Sequence, residues 1–226
     1  FYETNYTGIY GMGSWSLLDN GCYNGDGDNP CGYTGYERAF MGWLQLTEGI
    51  PGTRYTLGAL SQEGQKAIKV TNDKNADEYY VLENRQLSGW DSDLPADGLM
   101  ITHVDYNATA WANNTVNNTR SHTRMTPIPA DNKLSENNEE GDLWPYNGVN
   151  ELSDNSTPAA KVYTGSYMSK PITGIAKVGD KVSFIYMPGA VVREAPTLTE
   201  PSDISNTGFT ANWTAVDNAE SYNLQV

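Results

Sequence analysis

Glu-Tyr-Tyr-Val-Leu-Glu-Asn-Arg-Gln (78–86) and Gly-Leu-Met-Ile-Thr-His-Val-Asp-Tyr (98–106) are the two runs whose reading decides the fold. Both are short, rich in β-branched and aromatic residues, and flanked by turn-forming residues. That combination predicts strands over 77–85 and 98–106. Turn signals at Asn72-Asp73 and Pro95-Ala96-Asp97-Gly98 separate them from their neighbours. The same reading places further strands at 53–60, 66–71, 125–129, 160–164 and 180–187. The chain is therefore expected to be mainly β.

Upstream the pattern changes. Residues 1–32 carry glycines at 8, 11, 13, 21, 25, 27 and 32, so loops wrapped on a scaffold are expected. Residues 34–44 switch to a helical period, with Tyr36, Phe40 and Trp43 or Leu44 on one apolar stripe. Thr34 is the expected N-cap and Glu37 its capping-box partner. Long Asn-rich stretches at 107–124 and 131–158 are expected to be functional, pinned by a metal, or disordered.

Composition narrows the function. The 226 residues hold 28 acidic and 14 basic side chains, a net charge of −14. Phosphate binding needs Lys and Arg to release counterions, so nucleic acid is excluded as a partner. An anionic membrane surface is disfavoured for the same reason. No apolar run is long enough to span a bilayer, so no membrane span is expected. The acidic surplus fits a secreted protein or a calcium binder, with plain solubility as the alternative. Abundant Asn, Gly, Thr and Tyr, with Asn-x-Ser/Thr at Asn5, Asn107, Asn113, Asn117, Asn155 and Asn212, points to a secreted or cell-surface location.

Two local features carry candidate chemistry. Cys22 and Cys31 bracket a Gly/Asp/Asn loop, and a disulfide there would contribute about 2–3 kcal/mol, with free thiols as the alternative. Inside the loop, Asn24, Asp26 and Asp28 alternate like oxygen ligands for calcium, against a plain turn. Asp105, Asp131, Asp142 and Asp154 near the long loops form a weaker calcium candidate, against solvated carboxylates. The chain has two histidines, His103 and His122, and no His-Glu-x-x-His helix. No Gly-x-Ser-x-Gly elbow or phosphate-cradling loop occurs either.

Read in order, Gly-Ser-Trp-Ser-Leu-Leu-Asp-Asn-Gly (13–21), Gly-Tyr-Thr-Gly-Tyr-Glu-Arg-Ala-Phe-Met-Gly-Trp-Leu (32–44), 78–86, Gly-Trp-Asp-Ser-Asp-Leu-Pro (89–95), 98–106, Val-Asn-Asn-Thr-Arg-Ser-His-Thr-Arg (116–124) and Pro-Ala-Asp (129–131) form a series. It resembles the segment that follows the zinc helix in immune-inhibitor-A-like secreted bacterial metallopeptidases. The resemblance covers residues 1–188. It implies that Phe1-Tyr2-Glu3-Thr4 closely follows the third zinc ligand, so that this chain is a fragment without the ligands or the catalytic Glu. It further implies a Met-turn-like floor at Trp15, Ser16, Leu17 and Leu18, with Leu18 in the methionine position, a swap of similar volume. Tyr33, Tyr36 and Glu37 would lie on a helix behind that floor. His103 and Asp105 match the family pattern without a role to carry over.

The last residues, with Phe209-Ala211-Trp213 in a period-2 strand, resemble the opening of a fibronectin type III domain. That domain needs about 100 residues. The expected organisation is residues 1–50 as the C-terminal part of a metzincin-like catalytic unit, 51–188 as a β-sandwich-like domain, 189–196 as a linker, and 197–226 as a truncated fibronectin type III start. The implied function is zinc-dependent proteolysis of protein or peptide substrates by the full-length protein, with this fragment inactive alone. The alternative is a non-catalytic extracellular β module that binds glycan or protein, with Trp90, Trp111 and Trp144 as sugar platforms.

Overall fold

The structure is a computed structural model that describes residues 8–62, 64–189 and 196–214. Strand accounts for 34% of residues and helix for 16%, so the chain is mainly β. It divides into two compact units, Phe1–Pro188 and Gly189–Val226. Residues 1–50 and 51–188, expected as separate regions, fall within the first. The linker expected at 189–196 lies almost wholly outside the described residues.

The first unit is built on two sheets. Strands β1 (Thr47–Glu48), β2 (Arg54–Leu57), β3 (Ile68–Asn72), β4 (Asn75–Arg85), β5 (Gly98–Asp105), β6 (Met125–Pro127), β7 (Ile172–Val178) and β8 (Lys181–Tyr186) follow in chain order. The larger sheet runs β1-β3-β4-β5-β6 and the smaller β2-β8-β7. Only β1 and β3 pair in parallel within the larger sheet; the other pairs are antiparallel. β4 and β5 are the two runs quoted at the outset, in register from Glu78 opposite Asp105 to Arg85 opposite Gly98.

The larger sheet is buried on both faces, so side-chain alternation separates two cores. Ile68, Val70, Tyr80, Leu82, Leu99 and Ile101 pack with Leu57, Val182, Phe184 and Tyr186 of the smaller sheet, as in a sandwich. On the other face Val81, Met100 and Val104 pack with Met12, Trp15, Cys31 and Tyr36 of the N-terminal loops. Burial of both faces is why 78–86 reads as a nearly continuous apolar run at its centre.

Three expectations need correction. Residues 160–164 form no strand, only a bridge from Lys161 to Tyr167 around a turn closed by Val162 N–H to Ser166 O. A strand that the pattern did not predict, β7, is interrupted by Gly174 at φ +59 and a register shift between Thr173 and Ala176, which breaks the period of two. Helix α1 (Gly35–Phe40) has the predicted Thr34 cap and capping box but ends early. Gly42 adopts φ +76, and the N–H groups of Trp43 and Leu44 turn back to Arg38 O. Tyr36 is core, whereas Phe40 and Trp43 are exposed. The helical stripe never reaches its second turn.

In the second unit, β9 (Leu198–Ser205) and β10 (Gly208–Trp213) form an antiparallel hairpin with register shifts. Phe209 and Trp213 are exposed there.

Candidate functional site

The N-terminal loops are held by one aspartate. Asp19 Oδ2 accepts from Met12 N at 2.8 Å and Gly13 N at 3.1 Å, and Oδ1 accepts from Asn20 N at 2.9 Å. These bonds fold Gly13–Trp15 into a single 3-10 turn. Gly13 takes φ +52, and a Cβ there would collide with the Glu139 carboxylate and the Tyr10 hydroxyl. Tyr10 Oη donates to Glu139 Oε1 at 2.7 Å, and Ser14 N donates to the same oxygen at 2.9 Å. The turn is thereby tied to the distant segment 136–142.

The four residues expected as a floor split into two pairs. Trp15 and Ser16 are fully buried; Leu17 is half-buried and Leu18 is 49% exposed. Trp15 Nε1 donates to Asp142 Oδ2 at 2.7 Å, and Ser16 Oγ to Glu37 Oε1 at 2.5 Å. Glu37 therefore anchors both α1 and the turn. Leu18 does not occupy the buried methionine-like position assigned to it. Met12, fully buried at the head of the turn, is the apolar side chain beneath it.

Above the turn lies an open cleft of about 980 Å³ lined by Ile9, Tyr10, Leu17, Leu18, Arg120 and Glu136, among others. A second hollow of about 550 Å³ is lined by Leu18, Phe40, Tyr106, Trp111 and Val116, with Ala108, Ala112 and Asn114. Leu18 is common to both. The 107–124 segment, which carries helix α2 (Ala108–Ala112), contributes to the lining of each.

Beneath the turn sits a buried ionic cluster that sequence reasoning missed. Arg85, at the end of β4, donates Nη2 to Asp91 Oδ1 at 2.7 Å and Nε to Asp91 Oδ2 at 3.0 Å. It also reaches Trp15 O at 3.0 Å, Gly32 O at 3.2 Å and Glu83 Oε1 at 3.4 Å. Glu83 Oε2 accepts from Gly35 N at 2.5 Å. Arg85, Glu83 and Asp91 are all buried. This fork joins the sheet, the turn and the start of α1.

Burial decides the protonation of two carboxyls here. It pushes Glu83 up to about 7, with Arg85 opposing. It pushes Asp142 up to about 8, opposed by the Trp15 bond and reinforced by Glu139 and Asp131. Unfolded carboxyls titrate near about 4. The neutral forms are favoured in the folded state, so the stability they contribute is present below about pH 4 and lost as pH rises through 7 and 8. Glu78 has the opposite sign. Burial raises its pKa, but the bonds from His103, Tyr163 N and Asn72 hold it below the usual value, so its contribution is lost in acid. We expect a higher urea midpoint at pH 5 than at pH 8, and a flatter profile in Asp142→Asn. A midpoint that rises steadily from pH 5 to pH 8 would contradict this.

The remaining sequence candidates fall as follows. Cys22 and Cys31 are free thiols, not the expected disulfide. Cys31 N–H bonds Gly21 O at 2.9 Å and its sulfur turns inward against Gly21, while Cys22 faces the large cleft. Burial pushes the Cys31 thiol up to about 12. The three residues of the calcium candidate, Asn24, Asp26 and Asp28, differ in their surroundings. Asn24 is buried and donates to Ser14 O at 3.1 Å, whereas Asp26 and Asp28 are exposed on a loop kinked at Gly25 and Asp26. Of the four scattered aspartates, Asp131 and Asp142 come together through backbone bonds at 130–142. Asp154 binds Ser169, and Asp105 binds His122 and Arg124.

The two histidines flank one tyrosine. The His103 and His122 rings lie 4.4 and 4.3 Å from that of Tyr163, with Nε2 on Glu78 at 2.9 Å and on Asp105 at 2.6 Å. Among the described residues, no group of three or more His, Cys, Asp or Glu could hold a metal ion. No described helix is long and apolar enough to cross a membrane. Of the candidate sugar platforms, Trp144 is fully buried with Nε1 donating to Ile128 O, Trp111 is half-buried, and Trp90 is 64% exposed. Asn117 is fully buried and bonds the Met125 backbone through both side-chain ends, so it cannot carry a glycan in this fold.

No family model, no curated protein and no solved structure matches this chain.

Proposed function

We propose that this chain is part of a secreted zinc-dependent metalloendopeptidase and supplies the floor and side walls of its peptide cleft. The observation that carries the reading is the large cleft above the Met12–Trp15 turn. It lies where the immune-inhibitor-A-like motifs put the underside of an active site. A buried methionine heading a tight turn fits such a floor better than the exposed Leu18 does, so the floor is moved upstream to Met12, Gly13, Ser14 and Trp15. Zinc ligands would come from outside the described residues, and no chemical step is assigned to the residues seen here. The hairpin at 198–213 is read as the start of a fibronectin type III module, whose remaining strands a two-stranded hairpin needs for independent stability.

The full-length product of the gene should hydrolyse casein, lose that activity to a zinc chelator and regain it with added zinc. This chain alone should bind zinc no better than micromolar by calorimetry; nanomolar one-to-one binding would overturn the proposed division of labour. A second reading, a glycan- or protein-binding module without catalysis, is favoured by the exposure of Trp90 and Trp43. It would win if the full-length protein bound polysaccharide and cleaved nothing.

A further inference from the structure

Leu134, Ser135, Glu136 and Asn137 form one wall of the large cleft. They belong to a loop, 130–142, closed on itself by Ala130 N–H to Asp142 O and Asp131 N–H to Gly141 O. Among the described residues, 133–142 make only three hydrogen bonds outside 129–142. Trp15 Nε1 donates to Asp142 Oδ2, and Tyr10 Oη and Ser14 N donate to Glu139 Oε1. All three join the wall to the N-terminal turn, and carboxyl groups are the only acceptors. The surroundings of Asp142 do not compensate a charge. Glu139 and Asp131 face it from its own loop, Trp15 and Tyr10 from the turn, and Asp19 adds a further carboxyl near Tyr10. Among the described residues, no lysine, arginine or histidine side chain pairs with Asp131, Glu139 or Asp142. Asp142 is 1% exposed, and its Oδ1 has no hydrogen-bond partner among them. A neutral carboxyl tolerates that position. An ionised one is left with one side-chain hydrogen bond, no cation and like charges beside it.

We propose that the Asp142 carboxyl is a proton-operated latch: neutral, it holds the 134–137 wall against the Met12–Trp15 turn, and ionised, it releases the wall and widens the cleft. The latch stands apart from the peptidase reading and requires no particular occupant of the cleft. Burial pushes Asp142 up to about 8, opposed by the Trp15 bond and reinforced by Glu139 and Asp131. A released, solvated aspartate titrates near about 4. The latched form therefore binds the proton more tightly. Opening is least below about pH 4, rises with pH, and levels off above about pH 8. Burial and the neighbouring carboxyls keep Tyr10 protonated throughout this range, so its bond to Glu139 is not the one that titrates. Release breaks three hydrogen bonds and frees a loop whose Leu134 is already exposed, so it needs less free energy than global unfolding.

Hydrogen exchange on the whole chain, followed by NMR between about pH 5 and pH 8 with intrinsic rates divided out, tests the latch. Protection of the Trp15 indole N–H and of the Ser14 and Asp142 amides should fall about tenfold or more over that interval. It should also stay below the protection of the β4–β5 amides throughout. Asp142→Asn, the isostere of the neutral carboxyl, should keep these groups protected and flatten the profile. Glu139→Gln keeps an acceptor for Tyr10 and Ser14 but removes a like charge, so it should move the loss to higher pH. Protection that is constant from pH 5 to pH 8 in the parent, or that falls equally in Asp142→Asn, would overturn the latch. A profile unmoved by Glu139→Gln would count against it in the same way. Equal protection of the turn and of β4–β5 would also overturn it, because the wall would then open only with global unfolding. None of these readouts depends on peptidase activity.

Discussion

Replacing Arg85 by Met should cost about 3–5 kcal/mol, a large share of the total stability. A folded domain has about 5–15 kcal/mol in total, and breaking a buried ion pair leaves its partner charges without compensation. Here the partners are Asp91, held in a two-bond fork, and Glu83, both buried. The carbonyls of Trp15 and Gly32 would also lose their donor. Arg85→Lys should rescue only part of the loss, since one ammonium cannot reproduce the planar fork. Glu83→Gln should be mild, about 1 kcal/mol, because Glu83 is already poised to hold a proton near pH 7. Urea unfolding followed by tryptophan fluorescence separates the three. Equal losses for the Arg85→Met and Glu83→Gln variants would contradict the assignment of Arg85 as the hub.

Gly13→Ala should be the second most damaging change, at about 3 kcal/mol or more. A left-handed backbone costs a non-glycine residue about 1–2 kcal/mol by itself. The new methyl group would also displace the Glu139 carboxylate and the Tyr10 hydroxyl, breaking the bonds that tie the turn to 136–142. Gly89→Ala isolates the first cost. Gly89 has φ +59 but nothing within 4 Å of its Cβ position, so only about 1–2 kcal/mol should be lost. The difference between the two variants measures the contact with Glu139 and Tyr10. A difference near zero would mean that the turn is not held from that side.

The strands with regular patterns were legible because both faces of the larger sheet are buried, which makes β4 and β5 dense in β-branched and aromatic residues. The cap of α1 was legible because Thr34 and Glu37 are local partners three residues apart. What escaped was set by tertiary contacts. β7 was hidden by the bulge at Gly174, and the end of α1 by the left-handed turn at Gly42. In the site, Trp15, Ser16, Leu17 and Leu18 were read as one floor with Leu18 in the methionine position, whereas Trp15 and Ser16 are buried, Leu18 is exposed and the buried methionine of the turn is Met12. The signal was present: Met12-Gly13 pairs an apolar side chain with a residue free to turn. Arg85, Glu83 and Asp91 gave a fainter one, charges inside or just after a run whose neighbours are buried. No local pattern says that such charges will meet, because the pairing of Arg85 with Asp91 depends on the loop at 89–91 folding back. The Cys22–Cys31 spacing suggested a staple, yet the bond from Cys31 N–H to Gly21 O closes the loop without one.

In the proposed peptidase, the cleft above Met12–Trp15 is a wall of the active site. The most direct measurement compares casein hydrolysis by the full-length gene product with and without Leu18→Glu, at matched zinc content. The account predicts chelator-sensitive activity in the parent and about tenfold lower kcat/KM in the variant with zinc retained, a loss of about 1.4 kcal/mol. Full activity in the variant, or no chelator-sensitive activity in the parent, would contradict it.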